Sequence, residues 1–404
     1  MISVAEALAR VVSGLRPLSA EQVGLAGALG RVLAEDVAAR VSHPPLAVSS
    51  MDGYAVRSAD LSKAPATLKM IGESSAGGGF EGTVPAGACV RIFTGAPLPE
   101  GADADEMQEN AEAAGGEITF REGVAKGRFI RPQGQDFSAG DVLLGAGRAL
   151  SPRDIGLAAA MNVPWLMVRR RPRIAILATG DELAMPGNPL GPAQIVSSNS
   201  PVLAALVGDW GGEPLDLGIA RDDEEVLKGM VDGSRGADML VTIGGASVGD
   251  RDLVRKVLGG KGLELTFFRV AMRPGKPMIF GRLGEMPVLG LPGNPVSAGV
   301  TALVFLKPAM ETMLGLDRPD GPPPSALLGR DLEENGQRQD YLRAALARDS
   351  AGALVATPFK AQDSAMLARF AEADCLVVRP PGAPPAKAGD RVEIVPLRED
   401  VRSA

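Results

Sequence analysis

Between residues 173 and 313, short apolar runs alternate with stretches of helical character, and this alternation limits the possible folds more than any other feature. The runs resemble buried strands and occupy residues 174–178, 215–219, 239–243, 265–270, 277–280 and 288–291. The helical stretches are residues 199 onward, 223–231, 252–258 and 295–313. The alternation predicts a doubly wound, mostly parallel α/β sheet. Ligands of such sheets bind beyond the carboxyl ends of the strands.

A β-rich stretch precedes this region, between about residues 51 and 141. Its short apolar runs are separated by glycine clusters, and they are residues 67–71, 89–93 and 118–120. The first 40 or so residues are expected to be helical, and Ser151 followed by Pro152 is a typical helix start. The predicted arrangement is a β-rich domain inserted into a small helical linking domain, with boundaries at 42–140 and at 1–41 plus 141–170.

The sequence after the α/β region begins with a linker signal, the proline-rich stretch 320–324. Three alternating runs follow it, at residues 341–346, 354–357 and 376–378. They predict a small all-β domain over 319–404, which leaves 171–318 for the α/β domain. The fold class is therefore a multidomain α/β plus β protein.

Composition excludes several classes of function. The 49 acidic residues outnumber the 42 basic ones and aromatic residues make up only 4% of the chain, so a nucleic-acid partner is not expected. One histidine and two distant cysteines cannot form a tetrahedral zinc site. No apolar stretch approaches the roughly 20 residues of a membrane span, and the N-terminus lacks a secretory pattern, so we expect a cytoplasmic protein without a membrane partner.

The turn after the third predicted strand contains Gly244, Gly245 and Ser247. Its G-x-S-x-G pattern occurs in hydrolases at the nucleophile, but those enzymes need a histidine after the serine, and the single histidine, His43, lies far upstream. Backbone N–H groups of a glycine-rich turn before a helix can bind phosphate. A phosphate cradle and a plain strand-to-helix turn explain the spacing equally well.

Two further turns join predicted elements near the same edge. The turn at 273–277 carries Arg273 and Lys276, which with Arg269 could form a basic pocket for an anion, although a solvated basic loop has the same pattern. The turn at 291–297 contains Asn294 and Pro295, which suit the cap and first position of the following helix.

Acidic residues follow three of the predicted parallel strands. They are Asp181 and Glu182, Asp222 and Asp223, and Asp250 and Asp252. Because the carboxyl ends of parallel strands share one edge, these acids are expected to lie together and to suit a hard cation such as Mg²⁺. Each acid alone could equally be a helix cap.

Taken together, the motifs closely resemble the molybdopterin molybdenumtransferase family, which includes the corresponding domain of gephyrin. The matching stretches are PPLAVSSMDGYAVR (44–57), RIFTGAPLPEGADA (91–104), LATGDEL (177–183), SNS (198–200), RDD (221–223), GGASVGD (244–250), RPGKP (273–277) and LPGNPVSA (291–298). The resemblance implies a homodimer whose α/β domain is of the molybdopterin-binding type. It implies that molybdenum from molybdate is inserted into adenylylated molybdopterin, with Mg²⁺-assisted release of AMP.

The resemblance also implies roles for individual residues. Those implied to be catalytic are Asp52, Thr94, Glu182, Asp222 and Lys276, with Asp52 and Thr94 contributed across the dimer. Those implied to bind the pterin or its phosphate are Gly244, Gly245, Ser247, Arg269, Arg273, Lys276, Pro292 and Pro295, with Arg131 and Asp136 lining the same cleft. The implied metal ligands are Glu182, Asp222 and Asp252.

The chain departs from the family pattern at several positions. Ser197 stands where the family commonly has an acid, Ala246 replaces the usual valine, and Asp105 and Glu106 replace an apolar pair. Two other functions remain as alternatives, a molybdopterin adenylyltransferase and a non-catalytic scaffold or carrier. The partners implied for the main function are the adenylyltransferase and molybdoenzyme apoproteins.

Overall fold

A computed structural model of the chain describes residues 1–244, 253–317 and 322–397. The chain divides into two compact units, one made of Met1–Glu21 with Arg169–Ala404 and the other of Gln22–Val168. The four domain boundaries expected from the sequence stay a prediction.

The first part of the chain contains mostly short strands. Its helices are α1 (Val4–Ser13) and α2 (Pro152–Ala160). Its strands are β1 (Ala20–Gly24), β2 (Val37–Ala38), β3 (Val48–Ser49), β4 (Gly53–Val56), β5 (Ala66–Ser74), β6 (Ala88–Ile92), β7 (Ala104–Met107), β8 (Ala111–Ala114), β9 (Glu117–Phe120), β10 (Ile130–Arg131), β11 (Val142–Leu144) and β12 (Trp165–Arg169). The helix expected over the first 40 residues is wrong beyond Ser13, because Gly14 and Pro17 do not sustain a helix interior.

A six-stranded sheet organises the unit Gln22–Val168, in the order β7-β4-β6-β5-β9-β8. Neighbouring strands are antiparallel except β5 and β6. Its core buries Tyr54, Val56, Leu68 and Phe120. The β-rich character expected from the sequence is confirmed, and the helix start at Ser151 is confirmed by a capping box with Asp154.

The middle of the chain alternates strands and helices. The strands are β13 (Arg173–Thr179), β14 (Leu183–Ala184), β15 (Ile195–Val196), β16 (Glu213–Ala220), β17 (Met239–Ile243), β18 (Leu263–Arg269), β19 (Met272–Arg273), β20 (Pro277–Leu283) and β21 (Met286–Leu291). The helices are α3 (Asn199–Asp209), α4 (Glu224–Asp232), α5 (Leu253–Gly260), α6 (Pro295–Thr301) and α7 (Lys307–Leu314), with a π-helical segment Ala302–Leu306 between the last two.

These strands form a doubly wound sheet in the order β16-β13-β17-β21-β20-β18. The first four strands are parallel, and β20 and β18 are antiparallel to their neighbours. Alternate residues of β13 point to opposite faces, so Ile174 packs with α1, α3 and α6 while Leu177 packs with α4 and α5. The mostly parallel α/β fold expected from the alternating pattern is confirmed.

The C-terminal region is a small β-barrel beside one short helix, α8 (Leu367–Glu372). Its strands are β22 (Ser325–Leu328), β23 (Gln339–Arg348), β24 (Leu354–Pro358), β25 (Cys375–Arg379) and β26 (Arg391–Pro396). The barrel closes because β23 pairs with both β24 and β25. The predicted all-β domain is confirmed. In the described part of the chain, every helix is too short or too polar to cross a membrane.

Candidate active site

A cavity of about 870 Å³ opens at the carboxyl edge of the α/β sheet. Six of the residues with an implied catalytic or binding role line it, namely Glu182, Gly244, Arg273, Lys276, Pro292 and Pro295. They come from the turns after β13, β17 and β21 and from the turn before β20. The sheet topology therefore brings together motifs that are up to about a hundred residues apart in the sequence.

The basic turn 273–277 is shaped by its glycine. Gly275 has a φ of +108°, and a Cβ there would come within 2.4 Å of Thr301 Cγ2 in α6, so no other residue fits without displacement. Gly275 thus lets the turn pack closely on α6. Lys276, the next residue, is exposed and lines the cavity. Lys276 can therefore supply a positive charge to an anion in the cavity.

Arg273 is held by an ion pair with Asp340, a residue at the start of β23 whose side chain is buried. Burial raises the pKa of Asp340, while the hydrogen bond and charge of Arg273 act in the opposite direction. The side chain of Arg273 is more than half exposed, and the residue lines the cavity. One cation of the site is thus anchored by the C-terminal barrel.

Gly244 follows β17 with a φ of +86°, and a Cβ there would come within 2.9 Å of the Thr179 carbonyl oxygen. Glycine is required at this position because the backbone passes so close to the end of β13. The next residues of the proposed phosphate cradle, Gly245 and Ser247, lie outside the described residues, as do Asp250 and the proposed metal ligand Asp252.

The turn before α6 is joined to the C-terminal barrel. Pro295 is the first helical residue and Asn294 occupies the cap position, but the expected cap hydrogen bond from the helix is missing. The Asn294 amide instead donates to Ser364 Oγ over 2.9 Å, and Val296 N–H donates to the Ser364 carbonyl over 3.1 Å. The side chain is therefore used to hold a loop of the barrel against the cavity.

Four polar residues of the C-terminal region also line the cavity, and they were not identified from the sequence. Arg338, Gln362, Asp363 and Ser364 all line it. They belong to a region that was interpreted only as a separate β domain, and no local motif marks them. Only the tertiary contacts reveal their place.

A second, smaller cavity of about 180 Å³ contains the acids that follow β13 and β16. Glu182 and Asp222 both line it, and Glu182 also lines the larger cavity. Burial raises the pKa of Asp222, and the charges of Asp181 and Glu182 raise it further. Asp223 is the cap of α4 and accepts a hydrogen bond from Val226 N–H, so Asp222 remains available for a ligand.

Among the described residues there is no group of three or more histidine, cysteine, aspartate or glutamate side chains arranged to hold a metal ion. Mg²⁺ is commonly held by only one or two carboxylates together with waters and substrate phosphates. Glu182 and Asp222 therefore match the chemistry of this ion in type and number.

Arg269 does not line either cavity. Its guanidinium lies 5.0 Å from the centre of the Phe268 ring, and its Nε is buried without a hydrogen-bond partner among the described residues. The backbone of Arg269 pairs with Pro277, next to Lys276, so Arg269 borders the basic turn although its side chain lines neither cavity.

The unit Gln22–Val168 carries the remaining residues singled out in the sequence. The backbone N–H and the hydroxyl of Thr94 both donate hydrogen bonds to the carboxylate of Asp52. These two bonds hold the pKa of Asp52 below its usual value, and the charge of Arg91 lowers it further. Asp52 is exposed. It therefore presents a negative charge to solvent at neutral pH.

A cavity of about 680 Å³ lies in the same unit and is lined by Arg131, Asp136 and His43. His43 stacks on Phe137 with 5.5 Å between ring centres, which fixes this wall. Gly95, the neighbour of Thr94, also lines the cavity. Within this unit, the motifs around Thr94 and around Arg131 therefore border a common space.

Known proteins resemble this chain along its whole length. Residues 2–162 match the MoeA N-terminal region (domain I and II), residues 175–312 match a probable molybdopterin binding domain, and residues 325–397 match the MoeA C-terminal region (domain IV). A molybdopterin molybdenumtransferase of Haemophilus influenzae is 34% identical over 401 residues, which cover 98% of this chain and 99% of the relative.

Solved structures agree with this relationship. Two crystal structures of a molybdopterin biosynthesis MoeA protein from Pyrococcus horikoshii superpose with TM-scores of 0.87 and 0.84, at 31% and 28% identity. Each match covers 98% of this chain and 99% of the solved one. The adenylyltransferase and carrier alternatives are not favoured by relatives that are named molybdenumtransferases.

Proposed function

This chain belongs to the molybdopterin molybdenumtransferase family, and from that premise we propose how its residues serve the transfer. It is a transferase of molybdenum cofactor biosynthesis. The proposed substrates are adenylylated molybdopterin and molybdate, and the proposed products are AMP and the molybdenum-loaded pterin. The observation that carries the proposal is the single cavity in which Lys276 and Arg273 face the glycine turn at Gly244.

The cations and the glycine turn are proposed to hold the phosphate end of the pterin. Gly244 brings the backbone close to the ligand, and Lys276 and Arg273 neutralise its charge. Arg338 adds a third cation to the same cavity, and this charge supports the binding of a second anion, molybdate. Gly245, Ser247 and Arg269 remain part of the proposal from the motif, and Pro292 and Pro295 shape the wall.

Glu182 and Asp222 are proposed to hold Mg²⁺, with Asp252 as a further ligand. Their clustering, which raises the pKa of Asp222, creates a local negative potential that a cation relieves. When bound, the ion polarises the phosphoanhydride and favours release of AMP. Glu182 can serve both processes because it borders the acidic cavity and the larger one.

We propose that the protein acts as a homodimer in which Asp52, Thr94, Arg131 and Asp136 of one subunit complete the site of the other. The support is that each unit of the chain carries its own cavity, and that Arg131 and Asp136 line the one in the unit Gln22–Val168 together with Gly95, the neighbour of Thr94. The proposed compartment is the cytoplasm. The proposed partners are the enzyme that adenylylates molybdopterin and the apoproteins that accept the product.

Turnover of defined substrates tests the reaction. Purified protein is given adenylylated molybdopterin, Mg²⁺ and molybdate, and the released AMP is measured. Lys276→Gln should abolish most of the AMP release, whereas Lys387→Gln, which changes an exposed lysine paired with Asp331, should not. Molybdate-independent turnover, or full activity of Lys276→Gln, would contradict the proposal. ATP-dependent adenylylation of free molybdopterin would instead support the adenylyltransferase, and pterin binding without turnover would support the carrier.

Mixed dimers test the shared site. Asp52→Asn and Lys276→Gln should each be inactive alone, but subunit exchange between them should restore about a quarter of the wild-type activity. The reason is that a mixed dimer contains one site with both defects and one with neither. If both residues act within one subunit, every site keeps one defect and mixing restores nothing.

A further inference from the structure

Strand β7 buries two carboxyl groups at positions where the family pattern has an apolar pair. Asp105 is completely buried and Glu106 is 2% exposed. Glu106 accepts a hydrogen bond from Asn110 Nδ2 over 2.7 Å. Asp105 Oδ2 contacts the hydroxyl of Ser49, whereas its Oδ1 is buried and has no hydrogen-bond partner among the described residues. An ionised carboxylate would be costly in this setting.

The hydroxyl of Ser49 has two acceptors within reach but only one proton. Its oxygen lies 2.7 Å from the Met51 carbonyl oxygen and in close contact with Asp105 Oδ2. It also accepts a hydrogen bond from Met51 N–H over 3.1 Å. If Ser49 donates to the Met51 carbonyl, the contact with Asp105 is a hydrogen bond only when the carboxyl group supplies the proton.

We infer that Asp105 is an uncharged carboxylic acid that donates its proton to Ser49 and thereby positions the loop 50–53, which carries Asp52. The Ser49 hydroxyl then donates its own proton to the Met51 carbonyl oxygen. The Ser49 oxygen also accepts a hydrogen bond from Met51 N–H, so both backbone polar groups of Met51 are bonded to this one side chain. Gly53 fixes the other end of the loop, because a Cβ there would lie 2.1 Å from the Glu106 carbonyl oxygen. Asp105 is a positioning residue, and its link to turnover rests on the role proposed above for Asp52.

The charges around Asp105 favour the same state. Burial raises its pKa to about 7, and the neighbouring charge of Glu106 contributes in the same direction. A hydrogen bond donated by Ser49 to the ionised carboxylate, the backbone N–H of Tyr54 and the charge of Arg91 on β6 all lower the pKa, but they do not offset the burial. Arg128 faces β7 through its carbonyl oxygen, which accepts Asp105 N–H, while its guanidinium lies over Phe129.

Loss of the carboxyl proton of Asp105 weakens the hydrogen bonds that hold the loop 50–53. Above about pH 7 the carboxylate of Asp105 competes with the Met51 carbonyl for the hydroxyl proton of Ser49. The loop then loses one of the bonds that hold it, and the alignment of Asp52 with Thr94 weakens. One pH unit above the midpoint only about a tenth of the Asp105 carboxyl groups are still neutral, and the positioned fraction of the loop falls with it.

NMR on the full chain tests the inference. Aspartate labelled with ¹³C at the side-chain carboxyl is followed from about pH 5 to about pH 9, together with the amides of Met51 and Thr94. We expect one carboxyl signal with a midpoint near 7 that is missing in Asp105→Asn, and loop amides that move with the same midpoint. In Asp105→Asn, whose amide still donates to Ser49, the loop amides should not respond to pH in this range.

A second variant separates the proton from the shape of the side chain. Asp105→Val fills a similar volume without a donor, so the Met51 amide should be shifted at every pH. A carboxyl that is already ionised at about pH 5, or loop amides that ignore its titration, would overturn the inference. Turnover of Asp52→Asn is measured in parallel. If that variant is fully active, the role proposed for Asp52 fails while the NMR result on Asp105 still stands.

Discussion

Thr94 donates two hydrogen bonds to the same carboxylate oxygen of Asp52, one from its backbone N–H and one from its hydroxyl, each 2.8 Å long. Both bonds favour the ionised carboxylate and lower the pKa of Asp52, and the backbone bond has the larger effect. Asp52 is the only acidic residue in the stretch 44–57 and is exposed. The threonine therefore sets both the direction and the charge of a group for which we propose a catalytic role.

Thr94→Val tests the electrostatic part of this relationship. The variant keeps the backbone bond and loses the hydroxyl, so the pKa of Asp52 should rise part of the way toward its ordinary value. The rate of AMP release is measured as a function of pH. The acidic limb of this pH–rate profile should move to higher pH, because Asp52 becomes protonated at a higher pH than in the wild type. Thr67→Val, which removes a hydroxyl from an exposed pair with Thr119, is the matched control and should leave the limb in place.

Glu182→Gln tests the acidic cavity. Removal of the negative charge should lower the pKa of Asp222, which Glu182 now raises together with burial and Asp181. We expect turnover to fall more than roughly tenfold, or about 1.4 kcal/mol of transition-state stabilisation, and the half-saturating Mg²⁺ concentration to rise. Glu285→Gln changes a fully exposed acid and should alter neither value. Unchanged turnover and Mg²⁺ dependence would remove Glu182 from the site.

Arg343→Met tests how the cavity wall is held. Arg343 is fully buried, and its backbone N–H and Nε both donate to Gln362 Oε1, over 3.0 and 3.2 Å, while Gln362 returns a bond to the Arg343 carbonyl. Loss of the guanidinium should loosen the loop that carries Ser364. We expect KM for the substrates to rise more than kcat falls, with a loss of about 1–2 kcal/mol in unfolding free energy.

The control for this wall is Arg348→Met, which changes an exposed arginine at the other end of β23. It should leave both KM and stability close to those of the wild type. Equal KM values for the Arg343 and Arg348 variants would show that the loop is held without the guanidinium.

The α/β region could be predicted from sequence because its strands are buried on both faces. Runs such as 239–243 match the observed strand Met239–Ile243 residue for residue, since continuous burial leaves little room for polar residues. The helix expected beyond Ser13 failed for the opposite reason. Its apolar residues have no regular period after Gly14, and tertiary pairing decides their conformation.

The site was predictable only where its residues sit in local motifs. Lys276 and Gly244 belong to turns whose spacing reveals them. Arg338 and Ser364 reach the cavity through contacts between the barrel and the turn before α6, and no sequence pattern records those contacts. Asn294 does occupy the expected cap position, but its side chain bonds the hydroxyl of Ser364 instead of capping the helix, and that distant contact leaves no trace in the local sequence.

The burial of Asp340 makes stability depend on pH, and the ion pair with Arg273 limits this dependence. Burial raises the folded-state pKa of Asp340 above its unfolded value, and Arg273 limits that rise. Asp340 therefore binds its proton more tightly in the folded state, and its contribution to stability is lost as the pH rises through the folded-state pKa. Arg273→Gln raises this pKa further and leaves a buried carboxylate without its partner at neutral pH.

We expect Arg273→Gln to lower the unfolding free energy by about 1–3 kcal/mol at about pH 8 and by less at about pH 5, where more of Asp340 is neutral. Denaturant unfolding at the two pH values measures this difference. Asp340→Asn in the Arg273→Gln background removes the buried charge and should recover most of the loss at the higher pH. An equal loss at both pH values, or no recovery in the double variant, would show that the carboxylate of Asp340 does not depend on Arg273 for its charge balance.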